Sequence, residues 1–208
     1  GITENIMVPD LSGMTKAAAD SWAQNNGITL FYDLQLSDAV AQDVVISQEK
    51  APGVTIPSGS TLELTISAGQ GILIPDYSAM LKEDAPSAEI GLEITVKTIY
   101  DFSVPYGRLI SQSVPAGNRV FVTENKVTLT YSEGKPYIDD LRGSSEKDLA
   151  AYFYGFKLKG IVIPYSISYV DSDAPKGSVV SVARFNEFLN SRETITVKIS
   201  RGNLSPPE

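Results

Sequence analysis

The apolar positions of this chain keep two rhythms, which alternate in one order three times. Ala19, Trp22 and Ala23 fall at i, i+3 and i+4, one stripe of a helix over residues 16–26. Thr15 stands where such a helix is capped, and Gly27 where it takes its left-handed stop. Residues 28–32 then read as a strand. Residues 45–69 read as a strand, a Pro/Gly turn and a second strand closed by Ser67-Ala68-Gly69. The second round has Leu81, Ala85 and Ala88 as the helical stripe and Gly91 as the stop. Pro86 lies inside that stripe, so the predicted helix is short, irregular or kinked. Leu92–Ile99 alternates as a strand does, residues 104–106 form a bend, and residues 108–112 form the next strand. In the third round Leu149, Tyr152 and Phe153 form the stripe, Ser145 and Asp148 have capping-box spacing, and Gly155 is the expected stop. Residues 156–163 and 165–170 read as strands separated by Pro164.

The rounds are copies of one unit. Val8-Pro9-Asp10-Leu11-Ser12 returns as Ile74-Pro75-Asp76-Tyr77-Ser78, and in altered form as Ile138-Asp139-Asp140-Leu141-Arg142. Residues 45–69 return at 110–134 and, more weakly, at 179–202. From the stop glycine to the serine of the third-strand position the spacing is 20 (Gly27 to Ser47), 20 (Gly91 to Ser111) and 26 (Gly155 to Ser181). The third copy therefore has a longer bend, and it has lost both the Ser-Gln pair and the Pro/Gly turn. Three units follow: residues 1–69, 70–134 and 135–208, each near the lower size limit for a self-sufficient core. The fold class is α+β, three tandem small domains with one helix packed on a three-stranded sheet. Short junctions at 69–71 and 134–136 predict an extended array that bends little, which small-angle scattering tests.

Composition removes most chemistry. The chain has no cysteine and no histidine, so disulfides, thiol nucleophiles, Cys- or His-held metals and Ser-His or Cys-His catalysis are absent. Ser47-Gln48 and Ser111-Gln112 then have no activating base and read as polar strand-edge residues. Glu83/Asp84 and Asp139/Asp140 are adjacent acids, which point apart rather than converge on a substrate. Asp10, Asp76 and Asp140 recur at one position, which indicates a turn or helix-entry hydrogen bond. The net charge of −8 is graded from −6 in residues 1–69 through −3 in 70–134 to +1 in 135–208, with no basic stripe for nucleic acid. No apolar run nears the ~18 residues that span a bilayer. Gly1 in place of Met suggests a fragment, with any membrane anchor or catalytic domain outside it.

A unit opening with (V/I)-P-D-(L/Y)-S, then a helix ending at glycine, then I-S-Q and a strand closing in S-x-G, resembles the PASTA domain. The likeness covers residues 8–202, fully in two units and partly in the third. It implies a small β-α-β-β-β-type fold outside the cell membrane, in the sensor portion of bacterial Ser/Thr kinases or attached to penicillin-binding proteins. It implies peptidoglycan fragments or cell-wall polymer as partners, with self-association, and no enzyme activity or cofactor in this fragment. The alternative is a structural spacer or interaction module of a cell-wall protein. Tyr137 and Tyr154 are then candidates for stacking on sugar, and Arg142 and Arg184 for pairing a peptide-stem carboxylate. Tyr152 and Phe153, at stripe positions, are expected in the core.

Overall fold

The computed structural model describes residues 4–205; residues 1–3 of the expected first unit and 206–208 of the expected third lie outside the described residues. In the first segment the elements are β1 (Asn5–Met7), α1 (Lys16–Asn25), β2 (Thr29–Gln35), β3 (Val45–Gln48), β4 (Thr55–Pro57) and β5 (Thr61–Ser67). The second has β6 (Ile72–Leu73), β7 (Ala88–Glu89), β8 (Leu92–Ile99), β9 (Leu109–Gln112), β10 (Arg119–Val120) and β11 (Lys126–Ser132). The third has β12 (Tyr137–Ile138), α2 (Glu146–Leu158), β13 (Tyr165–Val170), β14 (Val179–Val182), β15 (Glu187–Phe188) and β16 (Ile195–Ser200). The architecture is mixed α/β, mostly strand, with two α-helices among the described residues.

Each segment places its last long strand at the centre of a sheet. The orders are β2-β5-β3, β7-β8-β11-β9 and β13-β16-β14. The outer strands run parallel (β2, β13) and antiparallel (β3, β14) to the centre. The antiparallel partner carries a register shift at the same place each time, at Ile46, Ile110 and Val180. That bulge twists and shortens the edge. A two-stranded ladder the sequence did not reveal joins the opening segment to the turn before the last strand: β1–β4, β6–β10 and β12–β15.

The helices form where local chemistry agrees with packing. Thr15 accepts from the Ala18 N–H, and the Ser145/Asp148 capping box is complete. α1 ends with Gly27 at φ 66°, the Ile28 N–H reaching the Ala23 carbonyl at 2.9 Å.

Two expected elements differ. α2 does not stop at Gly155. The apolar stripe continues to Phe156, so the helix runs to Leu158 and the left-handed stop is Gly160, φ 78°. Gly inside a helix costs only about 1 kcal/mol, less than burying Phe156 gains. Residues 156–158 are therefore helix rather than strand, and 161–164 are irregular. Counted from Gly160, the spacing to Ser181 is 21, in line with the other two copies; the helix is longer, not the bend. The second segment has no α-helix where one was expected, but a single 3-10 turn, Lys82–Asp84. Ala85, before Pro86, is extended at ψ 126°, as a residue preceding proline prefers. Tyr77 and Tyr131 stand where the other copies have aliphatic residues, and both are fully buried.

Contacts divide the chain into two compact bodies. One comprises residues through Pro75 with Ile90–Leu92 and Pro115–Lys126; the other comprises Asp76–Glu89, Glu93–Val114 and the chain from Val127 onward. The first body is built on Val8, Leu11, Ala19, Ala23, Leu62 and Leu64. The second contains a core of Ile138, Leu149, Phe153, Phe156, Ile195 and Val197, with Tyr100 and Phe102 packed against it. There Tyr100 meets Phe156 at 5.3 Å, and Glu133 takes Lys159 at 3.2 Å and Lys82 at 3.8 Å.

Candidate binding surface

Most of the repeated polar residues turn out to hold the fold. Asp10, Asp76 and Asp140 each accept the N–H two residues on, at 3.0, 2.9 and 3.2 Å, so each shapes a turn. The Ser78 N–H holds the Asp76 carboxyl below its usual range. Gln48 accepts from the Leu11 N–H at 2.7 Å and donates to the Pro9 carbonyl at 2.9 Å and the Lys50 carbonyl at 2.8 Å. It pins the Pro-Asp-Leu opening to β3. Gln112 accepts from the Tyr77 N–H at 3.2 Å and donates to the Val114 carbonyl at 2.9 Å. The third segment has buried Val182 at that position and fastens its opening from the helix instead. Asp139, in the place of proline, donates its N–H to Tyr152 Oη at 2.9 Å, and that phenol donates to the Tyr137 carbonyl at 3.2 Å. Burial pushes the Tyr152 phenol up to about 12. Tyr152 is half-buried and Phe153 buried, as their stripe positions require.

The closing serines act identically. Ser67, Ser132 and Ser200 are buried and donate to the Val40, Val104 and Ala174 carbonyls at 2.7, 2.6 and 2.7 Å. Each accepts the N–H of the glycine two residues on, at 3.0, 2.8 and 2.9 Å. The Ser-x-Gly motif thus clamps the bend onto the central strand.

The adjacent acids do not converge on one another among the described residues. Glu83 and Asp84 are exposed in the 3-10 turn. Asp139 faces Tyr152, and Asp140 faces Arg142. Among the described residues no three Asp or Glu side chains converge as a metal cage.

Three of the four candidate binding residues gather about residues 184–188. The Tyr137 ring meets Phe188 edge-on at 5.0 Å, and Arg142 lies 5.0 Å over the Phe185 ring. Arg184 reaches Glu193 at 3.3 Å and Glu187 at 3.5 Å. Tyr154 stands apart on α2, exposed, with Lys157 over its ring. Both arginines already hold carboxylates: Arg142 forks onto Asp140 at 2.6–3.1 Å, keeping that carboxyl below its usual range. An incoming carboxylate therefore has to displace one.

A hollow lies beside this cluster. A groove of about 440 Å³ is lined by Phe102, Pro105, Tyr106, Glu133, Lys135 and Phe188. Tyr106 is 67 % and Phe188 60 % exposed, so two aromatic faces are free for contact. Tyr106 also borders a second hollow of about 290 Å³ with Leu81 and Lys82, whose ammonium lies 5.6 Å from the ring. Hydrogen bonding from Thr98, with Lys159 and Lys82 nearby, holds the Glu133 carboxyl low. Aromatic faces with flanking ammonium groups suit a flat, partly apolar ligand bearing negative charge. Tyr106 was legible only as part of a bend, and the bend's outward ring is set by the serine clamp on Val104.

These features define a class first: small α/β repeat modules whose recurring polar residues serve structure. Residues 6–68 match the PASTA domain family. The chain is 31% identical to the probable serine/threonine-protein kinase PknB of Corynebacterium glutamicum, over 97% of this chain and 31% of that protein. It is 28% identical to a probable serine/threonine-protein kinase of Corynebacterium efficiens, over 95% of this chain and 30% of that protein. The crystallised three-PASTA-domain of a Ser/Thr kinase from Staphylococcus aureus aligns with 94% of this chain and 99% of its own, at 23% identity and a TM-score of 0.35. The chain spans about a third of the length of the curated relatives it matches. No helix of the described residues is long and apolar enough to cross a membrane.

Proposed function

We propose that this chain is a non-catalytic, wall-facing sensor segment of a bacterial membrane Ser/Thr kinase, built of three PASTA-like domains at 1–69, 70–134 and 135–208. Its partners are peptidoglycan fragments. The observation that carries this reading is the alignment of 97% of the chain with one third of a probable Ser/Thr kinase. In the second compact body, the Tyr106 and Phe188 rings offer stacking faces for sugar, and Lys135 offers an ammonium for a stem-peptide carboxylate. Tyr137 and Arg142 border this surface through Phe188 and Phe185, and Arg184 adjoins it through Glu187; Tyr154, apart on α2, is a separate exposed stacking face. Ligand engagement would bring anchored chains together and raise the effective concentration of their intracellular parts.

Titration of the chain with a purified muropeptide, followed by amide chemical shifts, tests the reading. Shifts are expected in 102–106, 133–142 and 184–188, and Tyr106→Ala should weaken binding severalfold. Silence in all three stretches removes the ligand, and the spacer reading then stands in its place.

A further inference from the structure

β2 is a seven-residue strand with an uncovered side. Among the described residues its partner is β5 alone. The Thr29 N–H donates to the Ser60 carbonyl at 3.0 Å, and the Gln35 carbonyl accepts from Ala68 at 2.8 Å. Residues 29, 31, 33 and 35 therefore turn their backbone groups toward β5, and Leu30, Tyr32 and Leu34 turn theirs away. A row of outward N–H and C=O groups is a template for another strand, and proteins ordinarily blunt it. The opposite edge of this sheet is blunted by the bulge at Ile46, and in the second segment the edge equivalent to β2 is covered by β7. β2 has neither device. Phe31 is 58 % and Leu34 55 % exposed along it.

The side chains beside that edge state what fits. Leu30, Tyr32 and Leu34 pair in register with Leu62, Leu64 and Ile66, on the apolar face. Phe31 and Asp33 lie on the other face, with exposed Glu63 in register with Phe31. Residues 1–69 carry two basic and eight acidic residues. A strand laid against β2 sets every second residue beside an apolar row and the others beside Asp33 and Phe31. We propose that β2 is a strand-addition site for an extended polypeptide in which apolar residues alternate with Lys or Arg. Backbone pairing supplies affinity and the acidic flank selects the charge. β13 offers a similar free edge, with Tyr165, Ile167 and Tyr169 facing out, but in a segment of net charge +1. It serves as an internal control.

The experiment is amide hydrogen exchange on the full chain with an acetylated Val/Lys-alternating heptapeptide, and with its Val/Glu counterpart. With the Lys peptide in tenfold excess over its dissociation constant, the amides of Leu30, Tyr32 and Leu34 should exchange about tenfold more slowly. Those of Tyr165, Ile167 and Tyr169 should not change. Leu34→Pro removes one outward N–H and should weaken the protection while the amide of Phe31 stays protected. Should that variant unfold, Asp33→Lys replaces it and should transfer the preference to the Glu peptide. Equal response to both peptides, equal response of β13, or no protection overturns the proposal. So does concentration-dependent protection of the β2 edge in the free protein, which assigns the edge to a second copy instead.

Discussion

Replacing Ser67 with Ala tests the serine clamp with almost no change in volume. The hydroxyl is fully buried, donates to the Val40 carbonyl at 2.7 Å and accepts the Gly69 N–H at 3.0 Å. Both backbone partners are left without it. Each such bond contributes about 0.5–1.5 kcal/mol net, so the loss is about 1–3 kcal/mol. Native-state hydrogen exchange reads it locally. The Asp43 N–H bonds the Ser67 carbonyl at 2.8 Å, and the Ser67 N–H bonds the Val44 carbonyl at 2.9 Å. A loss of ~2 kcal/mol accelerates exchange of both amides about 30-fold. The Gly177 N–H, bonded to the Ser200 carbonyl at 2.9 Å, reports the untouched third copy and should keep its rate. Ser200→Ala should reverse the pattern. Exchange at Asp43 and Ser67 within about twofold of the parent would show that water replaces the hydroxyl at no cost, and the clamp reading would be wrong.

Gln48→Met keeps the volume but loses three hydrogen bonds to backbone; it should destabilise the first segment by about 2–4 kcal/mol in urea unfolding. Gly160→Ala places a Cβ 3.0 Å from Ile99 Cγ2 at φ 78°, and should lower thermal stability by about 1–3 kcal/mol. Gly155→Ala, in the helix interior with open space around it, should raise stability by up to about 1 kcal/mol. Glu133 has a folded-state pKa depressed below the ordinary carboxylate range, chiefly by the Thr98 hydrogen bond and then by Lys159. Its contribution is therefore complete above the unfolded pKa and fades as pH falls through the lower folded value. Acid titration of unfolding should show a shallower loss in Glu133→Gln than in the parent over that window.

The candidate surface was only partly legible. Tyr137, Arg142 and Arg184 were found because aromatic and guanidinium groups are conspicuous in a divergent copy, and the fold gathers them near Phe185 and Phe188. Tyr106 and Lys135 were not found. Each lies in a connecting stretch, and nothing in its neighbours along the chain says that the two line one groove. The missing second helix was foreshadowed by Pro86, which lacks an N–H and forces Ala85 into an extended state. The continued third helix was missed because Gly155 has the form of a stop, while the decisive fact is the buried contact of Phe156.

The caps at Thr15 and Ser145, the left-handed stop at Gly27 and the turn aspartates were settled by the sequence alone, because each depends on neighbours within a few residues. The Ser-x-Gly clamp, the glutamine pins, the paired short ladders and the groove were decided by tertiary structure. Their partners lie 26 to 28 residues away for the closing serines and 37 to 39 for the Gln48 links to the opening segment, and such distances close only when burial of the sheet has already brought the chain together. A residue's identity fixes what bonds it can make; the packed core fixes which partner is within reach.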